Sequence, residues 1–181
     1  MYFCTTNVKL MFFKGIKKKL AQKSIDKALN NASNTTEGKI RTLGVLVDAT
    51  VFADFPFVNE IAEVFGIEKN AIEIVYYHPN KKEAALMSEL VYTDSELGFR
   101  GRIQNEGVTH FINKSYDGLL NYYNEDILLL NLVAVQSKAK FKMGFAGGYA
   151  GVNDFSVTTG LNNIEVFSFE LKKYLSILNK I

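Results

Sequence analysis

Asp48 and Asp54 follow directly on the apolar run Leu43-Gly44-Val45-Leu46-Val47. A carboxylate at the carboxyl end of a strand can bind a sugar hydroxyl or a metal ion, or act as a general base. Asn121, which with Tyr122 and Tyr123 closes a second apolar run, has the chemistry to line the same crevice. Gly147 and Gly148 sit at the centre of the glycine-rich stretch Gly144-Phe145-Ala146-Gly147-Gly148-Tyr149-Ala150-Gly151, and chain without Cβ atoms can approach a ligand closely. Asp48, Asp54, Asn121, Gly147 and Gly148 are therefore the ligand-binding candidates. Each also has a plain structural reading: a helix cap for Asp54, a loop residue for Asp48, strand-end packing for Asn121 and the tyrosines, a turn for the glycines.

Several chemistries find no support. A phosphate cradle needs glycines and a helix start free of negative charge, whereas the loop Asp48–Asp54 offers two aspartates and no glycine. The glycine-rich stretch matches neither G-x-G-x-x-G nor G-x-x-x-x-G-K-[ST], so no nucleotide cofactor is implied. His78 and His110 have no Cys or carboxylate neighbours at zinc-like spacing, and no metal is expected. There is no G-x-S-x-G elbow, and the single cysteine, Cys4, lies far from any scaffold that would hold a base beside it. No residue is put forward as catalytic.

Charge is distributed unevenly. Residues 1–41 hold nine of the 21 Lys/Arg and two of the 19 Asp/Glu, a net +7 against −5 for the remainder. Such an asymmetry speaks of partners rather than fold, and an anionic surface is the natural one, whether membrane or nucleic acid. Lys14, Lys17, Lys18 and Lys19 are the anion-binding candidates. Phe12, Phe13, Ile16 and Leu20 recur at helical spacing beside them and would insert into a membrane surface, or pack on the acidic body of the chain. The lone cysteine, the absence of a secretory signal pattern and the lack of a membrane-length apolar run lead us to expect a cytoplasmic protein, peripheral at the inner membrane surface if the arm binds lipid.

The elements that must position these groups follow from periodicity. A basic amphipathic helix fits residues 8–29, and the polar segment 30–38 reads as a linker. Leu43–Val47, 71–77, 118–123, 141–145 and 155–158 read as strands; 81–90 reads as a weak helix, and 90–93 or 98–103 as a weak strand. Helices are predicted from Asp54 to a stop at Gly66, from a cap at Asn105, from Asn124-Glu125-Asp126 to about Lys138, and from Asn163 onward. In the last, Phe167, Leu171, Tyr174, Leu175, Leu178 and Ile181 share a core face while Lys172, Lys173 and Lys180 face solvent. The alternation implies a three-layer α/β sandwich with a mostly parallel, Rossmann-like sheet of about five or six strands over residues 39–181, preceded by a basic helical arm over 1–38.

The lysine-rich start, Leu43–Asp48, Phe111–Lys114, Asp117–Tyr123 and Gln136–Phe145 resemble an uncharacterised family of small bacterial proteins. More remotely, the pattern is similar to the N-terminal Rossmann-like half of heptosyltransferase-type glycosyltransferases. That resemblance implies a base in the first βα loop, best matched by Asp54, although this chain lacks the preceding glycine and a second Rossmann domain. The expectation is a non-catalytic binding module whose arm contacts an anionic partner, with self-association through exposed aromatics. The competing expectation is a small-ligand binder or transferase-like fragment using the strand-end crevice.

Overall fold

The computed structural model describes the backbone of residues 5–30 and 38–181, with side chains in the first helix described from Gly15 onward. Six strands, β1 (Leu43–Asp48), β2 (Ile72–Tyr77), β3 (Val91–Tyr92), β4 (Gly118–Tyr122), β5 (Phe141–Phe145) and β6 (Phe155–Val157), form one sheet in the order β3-β2-β1-β4-β5-β6. Every pairing is parallel. This is the strand order of the doubly wound dinucleotide fold, in which the direction of winding reverses between β1 and β4.

The two faces follow from strand alternation. Leu43, Val45, Val47, Leu120, Tyr122, Met143 and Phe145 pack on α2 (Val58–Phe65) and α6 (Ile164–Ile177). Leu46, Val75, Tyr77 and Leu119 pack on α4 (Glu106–Asn113) and α5 (Leu128–Gln136). α5 is apolar nearly all round and correspondingly buried. α3 (Lys81–Ala84) is a single turn. The 98–103 segment is a 3₁₀ turn closed by a Leu97–Ile103 bridge rather than a strand.

The basic helix exists as α1 (Thr5–Asn30) and lies on the same face as α5, against α5 and the 99–101 turn. Its anchors are Ala21 and Ile25, both fully buried, whereas Ile16 and Leu20 are only half-buried. The side chains of Lys14, Phe12 and Phe13 and the expected linker at 31–37 lie outside the described residues.

Two helix starts and the buried face of a third helix differ from the sequence pattern. α2 begins at Val58 with Phe57 at its cap position, so Asp54 and Pro56 belong to the preceding loop and Asp54 caps nothing; Gly66, at φ 63°, does end the helix. α5 begins at Leu128, because Asn131 Nδ2 donates to Asp126 Oδ1 at 2.6 Å and holds the acidic segment in the loop. In α6 the buried face is Phe167, Leu171 and Leu175, with Tyr174 39% and Leu178 47% exposed. Lys180, expected in solvent, is buried: its carbonyl accepts from Ile40 N at 2.8 Å and its ammonium lies 5.2 Å from the Phe141 ring centroid.

β5 returns to β6 through residues 146–154 without a helix. Phe155 pairs with Met143, so the chain retreats only slightly along the sheet, and a compact loop suffices where parallel crossovers usually need a dozen or more residues. Gly147 makes this turn at φ 109°, and a Cβ there would stand 2.7 Å from the Asn124 carbonyl oxygen.

Candidate functional site

In a doubly wound sheet the ligand crevice opens beyond the carboxyl ends of the strands, where the winding reverses. Here that place is filled by the chain itself. Tyr122 ends β4, and the loop after β1 folds Phe52, Phe55 and Phe57 onto it, with ring centroids 5.7, 4.7 and 5.7 Å away. Phe145 and Phe167 close the cluster from the sheet and α6 at 4.9 and 5.8 Å. Tyr122 Oη donates to Leu161 O at 2.7 Å, and burial pushes the phenol above its ordinary range, so it stays a donor.

The two aspartates of the first loop do not converge on a ligand position. Asp48 is 5% exposed, and its Oδ1 accepts from Thr50 N at 2.9 Å and Thr50 Oγ1 at 2.7 Å, a turn within its own loop. Asp54, the base implied by the transferase likeness, is exposed. Neither lines the cleft between α2 and α6, the cavity at Gly147 and Gly148 or the groove at Lys17 and Lys18. Among the described residues no cluster of three His, Cys, Asp or Glu is placed to hold a metal ion. His78 instead ties down the end of β2, with Nδ1 accepting from Asn80 N at 3.1 Å and Nε2 facing Glu83 Oε2 at 3.1 Å.

Asn121, Gly147 and Gly148 do come together, on the far side of β4. Gly147 and Gly148 line a cavity of about 270 Å³ with Tyr123, Asn131, Tyr149, Asn153 and Ser156. Asn121, 1% exposed, lies beneath it and donates from Nδ2 to Asn153 Oδ1 at 2.7 Å.

A second concave site involves the lysines of α1. Because Ala21 and Ile25 dock the helix, its preceding turn passes beside the ends of β2 and β3. There Lys17, Lys18, Lys81, Thr93, Asp94, Ser95, Pro79 and Leu97 line a groove of about 380 Å³. Lys17 Nζ donates to Leu97 O at 2.9 Å, and Lys18 Nζ stands 4.0 Å from Asp94 Oδ2. The same Asp94 accepts from Tyr77 Oη at 2.6 Å; burial first, and then that carboxylate, push the Tyr77 phenol well above its ordinary value. Three lysines thus line a groove that holds one carboxylate, and one oxygen of that carboxylate is already engaged by Tyr77. Lys19 is exposed on α1 and lines none of these cavities. The signal for Lys14, Lys17, Lys18 and Lys19 was their charge; the contribution of Lys81, Thr93 and Ser95 depends on how α1 docks and has no local mark in the sequence.

Among the described residues no helix is long and apolar enough to cross a membrane. No curated protein matches the chain. Residues 17–178 match the profile of a family of unknown function, DUF6913, and these bounds take in the docked part of α1, the whole sheet and α6 through its cap. The lysine groove, the aromatic closure and the glycine-loop cavity all fall within that span, and the chain belongs to this family of unknown function.

Proposed function

We propose that the protein is a non-catalytic binding module whose anionic ligand presents a phosphate-type group to the groove between α1 and the ends of β2 and β3. The observation that carries this reading is that Lys17 and Lys18 from α1 and Lys81 at the start of α3 line one groove with Thr93 and Ser95, whose hydroxyls lie 2.7 Å apart. Ammonium groups act as point charges for phosphate, and hydroxyls complete its hydrogen bonds. The groove's volume suits a single headgroup or nucleotide-sized anion rather than a nucleic-acid backbone lying along a helix. Exposed Lys19, Lys23 and Lys27 on α1 add attraction at longer range, which salt would screen. A non-catalytic role is supported by the filled switch point and by the engagement of Asp48 with Thr50.

The test is calorimetric titration of the full chain with pyrophosphate at low and high salt, beside co-sedimentation with vesicles containing anionic lipid and with bulk RNA. Salt-sensitive binding is expected to weaken about tenfold in a Lys18→Ala/Lys81→Ala variant, equivalent to about 1.4 kcal/mol. Whether vesicles or free pyrophosphate compete for the groove identifies the source of the phosphate. Unchanged affinity in that variant, or binding to RNA alone with no contribution from Lys81, would sink the reading.

A further inference from the structure

The cavity under the glycine-rich loop has a chemistry opposite to that of the lysine groove. No Lys, Arg, Asp, Glu or His lines it; its polar groups are the carboxamides of Asn131 and Asn153, the hydroxyls of Tyr123, Tyr149 and Ser156, and loop backbone. Charged ligands would lose their water there without gaining a counter-charge.

The wall and floor are held in place from behind. Tyr123 Oη donates to Asn131 Oδ1 at 3.1 Å, and Asn131 passes the network on to Asp126. Tyr149 Oη donates to Asp26 Oδ1 at 2.8 Å, which fastens the loop to α1. Asn121 donates to Asn153, whose Nδ2 reaches Ser156 Oγ at a long 3.3 Å. Gly144 lets β4 and β5 close over this pair, since a Cβ there would stand 2.5 Å from Asn121 O and 3.0 Å from Asn153 Nδ2.

One group in this network is unspent. Asn121 Oδ1 is buried and has no hydrogen-bond partner. Buried acceptors without donors are uncommon and costly, and each calls for an explanation such as a bound water or a ligand. Asn153, partly exposed, lines the cavity and joins Asn121 to it through the 2.7 Å bond to its Oδ1. We infer that the cavity is a second binding site, for an uncharged small molecule that supplies O–H or N–H donors to Asn121 and Asn153 and accepts from the Ser156 hydroxyl. Tyr123 and Tyr149 give its apolar face a surface to lie on. The volume of about 270 Å³ limits the ligand to a single ring or short chain. This site stands apart from the lysine groove, and neither depends on the other's ligand.

The test is amide-resolved NMR of the full chain with a library of uncharged polar fragments, with inorganic phosphate as the anionic control. Saturable shifts at Gly147, Gly148 and the Asn153 side-chain amide are expected from neutral fragments and not from phosphate. Asn121→Leu should weaken the best fragment at least tenfold, and Asn153→Ala, at a partly exposed position, gives the same readout if the buried substitution fails to fold. Lys18→Ala/Lys81→Ala should leave these shifts unchanged, which separates this site from the proposed anion groove. No saturable neutral fragment at the loop, equal response to phosphate, or undiminished binding in both asparagine variants overturns the inference.

Discussion

Thr42 and Asp117 bind each other in both directions across the amino-terminal ends of β1 and β4. Thr42 N and Oγ1 donate to Asp117 Oδ2 at 3.1 and 3.0 Å, and Asp117 N donates to Thr42 Oγ1 at 3.1 Å. Lys140, just before β5, adds its ammonium to Asp117 Oδ1 at 2.8 Å. One carboxylate therefore joins the starts of three neighbouring strands. Burial alone would raise its pKa, but Lys140, the Arg41 amide and the Thr42 hydroxyl more than offset this and hold it below the usual carboxylate value.

The sign of the pH effect follows. A carboxyl whose folded-state pKa is depressed contributes stability that is present above its unfolded value, about 4, and lost as pH falls through the folded value. Asp117→Asn is expected to cost about 1–3 kcal/mol at neutral pH and to flatten the acid limb of the stability curve. Urea denaturation at a series of pH values below about 5 measures both.

The aromatic closure can be separated into its polar and apolar parts at Tyr122. Tyr122→Phe removes only the hydrogen bond to Leu161 O and should cost about 1 kcal/mol. Tyr122→Ala opens the centre of the cluster and should cost about 3–5 kcal/mol. A Tyr122→Ala loss no larger than that of Tyr122→Phe would mean the rings around it collapse into the space.

Ile25 tests whether α1 is part of the folded body. It is fully buried, so Ile25→Ala should cost about 2–5 kcal/mol, whereas a loosely tethered arm would show almost no change. Hydrogen exchange provides the independent check, with protection expected over residues 18–29 of the parent and lost in the variant.

Gly144 is the tightest glycine in the sheet. Gly144→Ala places a methyl group against the Asn121 carbonyl and should cost about 1–3 kcal/mol, with an unchanged denaturant slope if only packing is affected.

Much of the frame was readable because single residues or short runs decide it. Leu43–Val47 is buried in a central parallel strand as its unbroken apolar character requires, and Asn105 caps α4 through a bond from Val108 N at 3.1 Å. The misread boundaries arise where distant chain competes with local signals. Asn124-Glu125-Asp126 is a sound helix opening by composition, yet Gly147 packs on the Asn124 carbonyl and Asn131 takes the Asp126 side chain. Helix period puts Lys180 on the solvent side, but the segment after α6 turns in and its Lys180 carbonyl pairs with Ile40 N. The candidate sites were legible only in part for the same reason. Asn121 shares a region with Gly147 and Gly148 because parallel pairing forces β4 beside β5. Asp48 lies on the same face of the sheet as Asn121 but is turned back on Thr50 within its own loop, and Asp54 is left exposed beyond it. Lys81 meets Lys17 only because Ala21 and Ile25, unremarkable in a lysine-rich helix, fix where α1 rests.

The docking of α1 also orders events during synthesis. Asp26, on α1, takes its hydrogen bond from Tyr149, which lies 123 residues later. At about 5–20 residues per second, the helix waits on the order of ten seconds for that partner. Throughout this interval Ala21 and Ile25, fully buried once α1 is docked, have no complete surface to pack on, so the apolar side of a lysine-rich helix stays uncovered while the chain is being made.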